Sequence, residues 1–134
     1  MKNILNFSEA FNIGIHAMAI LGVSNEKKIS VKKLAKIISA SDNHLSKVMQ
    51  RLSKANLVSS INGPNGGFLI TKTPDSIRII DIYEAIEGKL PLANCMFSKK
   101  ICKKKYCPMS NFIENISNKV STFFLNTKLS ELIN

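Results

Sequence analysis

Three cysteines, Cys95, Cys102 and Cys107, fall within thirteen residues and are the chain's only cysteines. Thiolates are soft ligands that select iron–sulfur clusters, zinc or copper(I). An odd number of cysteines in one short run argues against a plain disulfide framework. Three thiolates leave one coordination position for another donor, and that position is where a sensor can react. Five lysines, Lys99, Lys100, Lys103, Lys104 and Lys105, lie between Cys95 and Cys107. Two roles are open to them: offsetting the charge of a cluster–thiolate assembly, or meeting DNA phosphate from a solvated loop.

The elements that must hold these cysteines belong to a chain of 134 residues, the length of one domain with room for a dimerising extension. Nineteen Lys and Arg stand against nine Asp and Glu, a formal charge of +10. A basic domain of this size is a candidate for binding nucleic acid, the plain alternative being solubility alone. Polar residues interrupt every apolar stretch, so no membrane span is expected. The N-terminus carries no signal-peptide pattern, and a cytoplasmic location is expected, where thiols stay reduced. No nucleophile–base constellation, phosphate loop or carboxylate pair is present, and His16 and His44 lack evident partners. An enzyme is not expected.

Residues 6–23 read as a helix from the spacing of Phe7, Phe11, Ile15 and Met18, with Asn6 and Glu9 set as a capping box. His16 reads as a packed residue of that helix. Residues 24–29 form a polar turn. Ser30 caps a second helix with Val31, Leu34, Ala35 and Ile38 on one face. Ser41 or Asp42 caps a third, with Leu45, Val48, Met49 and Leu52 inward and polar residues outward. Two strand-like runs, 57–61 and 68–71, flank a loop holding three of the six glycines, which predicts a hairpin. Helix, turn, helix and glycine-rich hairpin is the order of a winged helix. A further helix spans 79–87 and ends at Gly88. Pro108 suits the first turn of a long helix. There Met109, Ile113, Ile116, Val120 and Phe123 form a heptad seam, widened by Phe112 and Phe124. The seam can serve a dimer or pack on the chain's own body, and the dimer is the expectation here. A short helix closes the tail. The expected fold is mainly α with a small β-hairpin wing: a winged helix-turn-helix DNA-binding domain (1–88), a cysteine cluster-binding loop (89–107), then a dimerisation helix and C-terminal tail (108–134).

These residues resemble the winged-helix iron–sulfur transcriptional regulators, the family that includes IscR and NsrR. The resemblance rests on residues 51–58 with 63–68, on 81–88, on the cysteine triplet and on 128–132, and so covers nearly the whole chain. It implies a homodimer crossed by the long helix, bound to a palindromic operator on double-stranded DNA, with an affinity that changes with cluster state. Cys95, Cys102 and Cys107 stand where the family carries its cluster ligands. The gaps here are six and four residues, so the middle cysteine is displaced by one from an even spacing. In one branch a histidine three residues after the third cysteine completes a 2Fe–2S site; here that residue is Ser110. In the other an acidic residue of the partner subunit, near the start of the first helix, completes a 4Fe–4S site. Glu9 falls near that place, which favours 4Fe–4S slightly. Glu9 therefore has two readings, ligand or capping box.

On DNA, Ser41, Asn43, His44, Ser46 and Lys47 are the candidates to face the groove, with Arg51 and Lys54 on phosphate. The wing tip, Asn62, Gly63, Asn65 and Gly66, is expected at the backbone or minor groove. The family often has arginine where this chain has Asn62, so minor-groove reading should be weaker here. The expected function is a repressor whose operator affinity follows an iron–sulfur cluster sensing nitric oxide, redox state or cluster supply. The alternatives are a cluster-free thiol switch, in which two cysteines form a disulfide, and a zinc-stabilised winged-helix regulator.

Overall fold

The structure is a computed structural model and describes residues 5–97, 101–103 and 105–133. Helix α1 (Glu9–Val23) is central, packed against α2 (Val31–Ile38), α3 (Asp42–Lys54), α4 (Ile79–Glu87) and the short tail helix α6 (Leu129–Ile133). It is buried on more faces than one stripe would suggest: Ile13, Ala17 and Leu21 join Phe11 and Met18 in the core. Gly14 is what lets α4 come so near, since a Cβ there would meet Ile86 Cδ1 at 2.1 Å.

The N-terminal cap of α1 differs from the expected capping box. Asn6 has φ +47°, and the helix starts at Glu9. The cap is Ser8, whose Oγ accepts from the Phe11 N–H at 3.0 Å and donates to the Glu87 carboxylate. Caps of this kind contribute about 1 kcal/mol. Phe7 packs on Phe11 and Phe124, with ring centroids 5.5 and 5.8 Å away. This fixes the entry of the chain more firmly than Asn6 could from sequence spacing.

Helix α2 ends at Ser39, which takes the left-handed conformation (φ +63°) and so turns the chain into α3. Ser41 caps α3 by accepting from the His44 N–H. Leu45, Val48, Met49 and Leu52 are each at most 2% exposed, as their spacing predicts. Strands β1 (Val58–Ile61) and β2 (Gly67–Ile70) pair antiparallel, Val58 with Ile70 through Ile61 with Gly67. The segment 24–29 is not wholly a polar turn. Ile29 is buried and exchanges both backbone hydrogen bonds with Phe68, at 2.9 and 2.8 Å. Gly67 permits that approach, because a Cβ there would meet Ile29 O at 2.5 Å.

A 3₁₀ turn, Pro74–Ser76, leads to α4. The long helix α5 (Pro108–Asn126) begins at Pro108. Its apolar seam divides. Phe124 is buried against Phe11 and Tyr83, and Val120 packs on the core, while Met109, Phe112 and Phe123 stay at least half exposed. The tail then returns to the winged-helix body. Ile79 N–H donates to Thr127 O, and Leu129 N–H to Ile77 O at 2.7 Å. Leu129 is fully buried. Residues 108–133 thus comprise one helix whose last turns pack on the body and a tail stitched into it.

Candidate nucleic-acid interface and metal centre

The outward face of α3 and the wing form two connected grooves. Ser46, Gln50, Ser53, Lys54, Ser60 and Asn62 line the first, between α3 and the hairpin. The second lies between the hairpin and the start of α2, with Ser30, Lys32, Asn62, Gly63 and Gly66 on its walls. Asn62 lines both. Asn43 and Lys47 are exposed on the same side of α3, and His44 is half-buried. Ser41 is exposed, its hydroxyl engaged in the cap. Gly63 has φ +105° and its carbonyl accepts from the Gly66 N–H at 2.9 Å, so a tight turn closes the hairpin tip and leaves Asn65 exposed. Among the described residues the ion pairs are Lys33–Glu26 and Arg78–Asp81. Lys32, Lys47 and Lys54 therefore keep their charge unmatched by a carboxylate.

Sequence reasoning put Gln50 on the outer face of the third helix without assigning it to DNA, and did not single out Ser53, Ser60, Ser30 or Lys32 there. Gln50 was legible: it stands four residues after Ser46 and seven after Asn43, hence on one helical face. Ser30 and Lys32 were not, because only the Ile29–Phe68 pairing brings the start of α2 beside the hairpin. Arg51 points elsewhere than its neighbours on the outer face. Its Nη1 donates to the Ile86 carbonyl at 2.9 Å.

The cysteine segment is irregular from Gly88 to Cys107 in its described residues. Lys99, Lys100 and Lys104 lie outside those residues; Lys103 and Lys105 are exposed. All three cysteines are free thiols, Cys95 and Cys107 half-buried and Cys102 exposed. Cys107 is the N-cap residue of α5. Ser110 Oγ donates to Asn94 O, and Ser117 Oγ to Ala93 O at 3.1 Å. The position where the resemblance would set a histidine ligand is thus used to tie down the backbone beside Cys95. Among the described residues no three His, Cys, Asp or Glu side chains gather closely enough to hold a metal ion. The donor chemistry nonetheless fits an iron–sulfur cluster: three uncommitted soft thiols on one segment.

Glu9 is exposed on α1 and lines a separate groove with Asn12, His16, Ile37 and Ile38, which no cysteine enters. His16 is exposed, not packed, and its Nδ1–H donates to Asn12 O at 2.7 Å. Among the described residues no helix is long and apolar enough to cross a membrane.

Several known proteins are similar to this chain. An HTH-type transcriptional regulator of Aquifex aeolicus is 30% identical over 131 residues, 96% of this chain and 91% of that protein. The HTH-type transcriptional regulator NsrR of Halalkalibacterium halodurans is 40% identical over 70 residues, about half of each chain. Among solved structures, CymR, the global cysteine regulator of B. subtilis, superposes with a TM-score of 0.77 over 97% of both chains at 24% identity. T. potens IscR superposes with a TM-score of 0.73 over 95% of this chain and 85% of that one, at 23% identity. At such identity the two structures establish the winged-helix fold alone. The family match is independent of them and, reaching from residue 7 to residue 134, shows that the chain belongs to the Rrf2 family, described as an iron-dependent transcriptional regulator, and is a regulator of transcription rather than an enzyme.

Proposed function

We propose that this regulator is a cytoplasmic, homodimeric repressor whose operator affinity is set by an iron–sulfur cluster on Cys95, Cys102 and Cys107. One observation carries the reading. The thiol segment runs from α4, whose last turn Arg51 of α3 holds, to α5, which packs on α4 and whose Ser110 and Ser117 hold Asn94 and Ala93. The names of similar proteins, NsrR and IscR among them, support the same assignment.

On DNA, Asn43, Lys47 and Gln50 face base edges in the major groove, where Asn and Gln pair with adenine and Lys with guanine. Lys54 and Lys32 flank the hairpin and take phosphate, and Asn62 lies between them. A two-fold dimer sets two α3 helices on a palindromic operator, with half-sites about 34 Å apart. The open apolar residues of α5, Met109, Phe112 and Phe123, supply the dimer contact. Glu9 reaches the thiols of the second copy as the fourth ligand, since its own groove contains none. When bound, the cluster supplies a redox- and nitric-oxide-reactive centre, of the 4Fe–4S type by this ligand set. The protein's part is to hold residues 88–107 in one arrangement and so bias the spacing of the two α3 helices.

Anaerobic purification with visible and Mössbauer spectra, followed by operator titration before and after nitric oxide, tests this. A brown protein whose operator affinity changes on nitrosylation is expected. Colourless protein with stoichiometric zinc would assign a structural zinc site instead. Colourless, metal-free protein whose affinity follows thiol oxidation would assign a disulfide switch.

A further inference from the structure

We propose that Ser110 and Ser117 are positioning residues that keep Cys95 beside Cys107 as a standing pair of thiols, so that Cys102 is the one thiol that must move in. Seven residues separate the two serines, close to two helical turns, so both lie on one face of α5 about 10.5 Å apart along its axis. Their acceptors are consecutive carbonyls, Ala93 for Ser117 and Asn94 for Ser110. The order matters. Ala93 is tied to the farther serine and Asn94 to the nearer one, so the segment runs along α5 toward its N-terminus. The next residue is Cys95, and the N-terminus it approaches follows directly on Cys107, three residues before Ser110.

Burial agrees with this direction. Cys95 and Cys107 are both half-buried, and Cys102 is exposed. A serine inside a helix commonly bonds back to its own preceding turn. Here both hydroxyls reach outward instead, and both reach the same strand of loop. Ser110 is therefore committed as a donor to backbone and acts through Cys95, not as a ligand. The pair exists whatever the thiols go on to bind. The role rests on the thiol segment being the sensing element, but its test does not use a loaded protein.

The test uses reduced, metal-free Cys102→Ser protein, which leaves only Cys95 and Cys107, treated with dibromobimane. Each thiolate displaces one bromide, and the doubly bonded product is fluorescent and separable by mass from the singly labelled one. The parent should give mainly bridged product. Ser110→Ala and Ser117→Ala should each lower the bridged-to-single ratio about fivefold, the factor that one hydrogen bond of ordinary net strength supplies. Ser110→Thr keeps the donor and should keep the ratio. Labelling by monobromobimane should not change, because it reads exposure and not proximity. Alanine is the better helix former, so α5 should persist by circular dichroism in both variants; should one fail to fold, the other carries the same readout. A ratio unchanged by either single substitution overturns the proposal. Colourless wild-type protein would sink the cluster reading and leave the bridging result standing.

Discussion

The guanidinium of Arg51, in the last turn of α3, donates from Nη1 to the carbonyl oxygen of Ile86 in the last turn of α4, at 2.9 Å. The last carbonyls of a helix lack partners within it, so this bond satisfies one and ties α3 to the element that enters the thiol segment. Arg51→Ala should therefore lower stability by about 1 kcal/mol and leave the salt dependence of operator binding unchanged. Thermal unfolding and a salt titration check both. A salt slope shallower by about one unit would instead make Arg51 a phosphate contact.

Lys54 and Lys47 should behave in the opposite way. Neither has an acidic partner among the described residues, and each is exposed on the groove side. With Lys54 proposed to take phosphate, Lys54→Ala should reduce the slope of log affinity against log salt by about 0.9 with little change in melting temperature. With Lys47 proposed to face bases, Lys47→Ala should chiefly narrow the gap between operator and random DNA. Binding insensitive to salt in the wild-type protein would refute the charge argument for both.

Gly14 marks where α1 and α4 touch. The Ile86 methyl would lie 2.1 Å from an added Cβ, and Val48 Cγ1 3.4 Å. Gly14→Ala gains helix propensity of about 1 kcal/mol but forces Ile86 aside, an overpacking cost of about 1–3 kcal/mol. The net expectation is destabilisation, which urea unfolding measures. Because Ile86 O holds Arg51, the same variant should also weaken operator binding.

The parts legible in the sequence are those governed by local spacing. The inward face of α3 follows from Leu45, Val48, Met49 and Leu52, and α4 runs from Ile79 to Glu87 as its pattern reads. What was illegible depends on the meeting of distant segments. Nothing local in Ile29 says that it pairs with Phe68, and nothing in Thr127 that it accepts from Ile79. Ser8 and Asn6 are both good caps; the choice falls to Ser8 because Phe7 must reach Phe11 and Phe124. The cysteines announced themselves by type and spacing. The serines that hold their segment did not, since a helix serine carries no mark of the loop it will meet.

Asp81 gives a pH dependence. Burial pushes its carboxyl up, but bonds from the Arg78 guanidinium and backbone N–H outweigh that and hold it below the usual carboxylate range. A carboxyl more acidic in the folded than in the unfolded chain stabilises the fold when ionised. That contribution is complete above the unfolded value, about 3.9, and is lost as pH falls through the lower folded one. Asp81→Asn should therefore lower stability at neutral pH and lessen the further loss on acidification to about pH 2. Equal acid sensitivity in both proteins would remove Asp81 from the account.

Cys102 is the sharpest test of the metal centre, because it is a free and exposed thiol. Cys102→Ala should leave melting temperature and dimerisation by sedimentation unchanged, since its removal opens no cavity. It should abolish the visible absorbance of the anaerobically prepared protein, two thiolates being too few to hold a cluster against exchange. Cys107→Ala should do the same. Its side chain makes no capping hydrogen bond, so the start of α5 should persist. Operator affinity in both variants should then be that of cluster-free wild-type protein and should no longer respond to nitric oxide. Full absorbance in Cys102→Ala would remove it from the ligand set and turn attention to Glu9 and His16 as donors across the dimer.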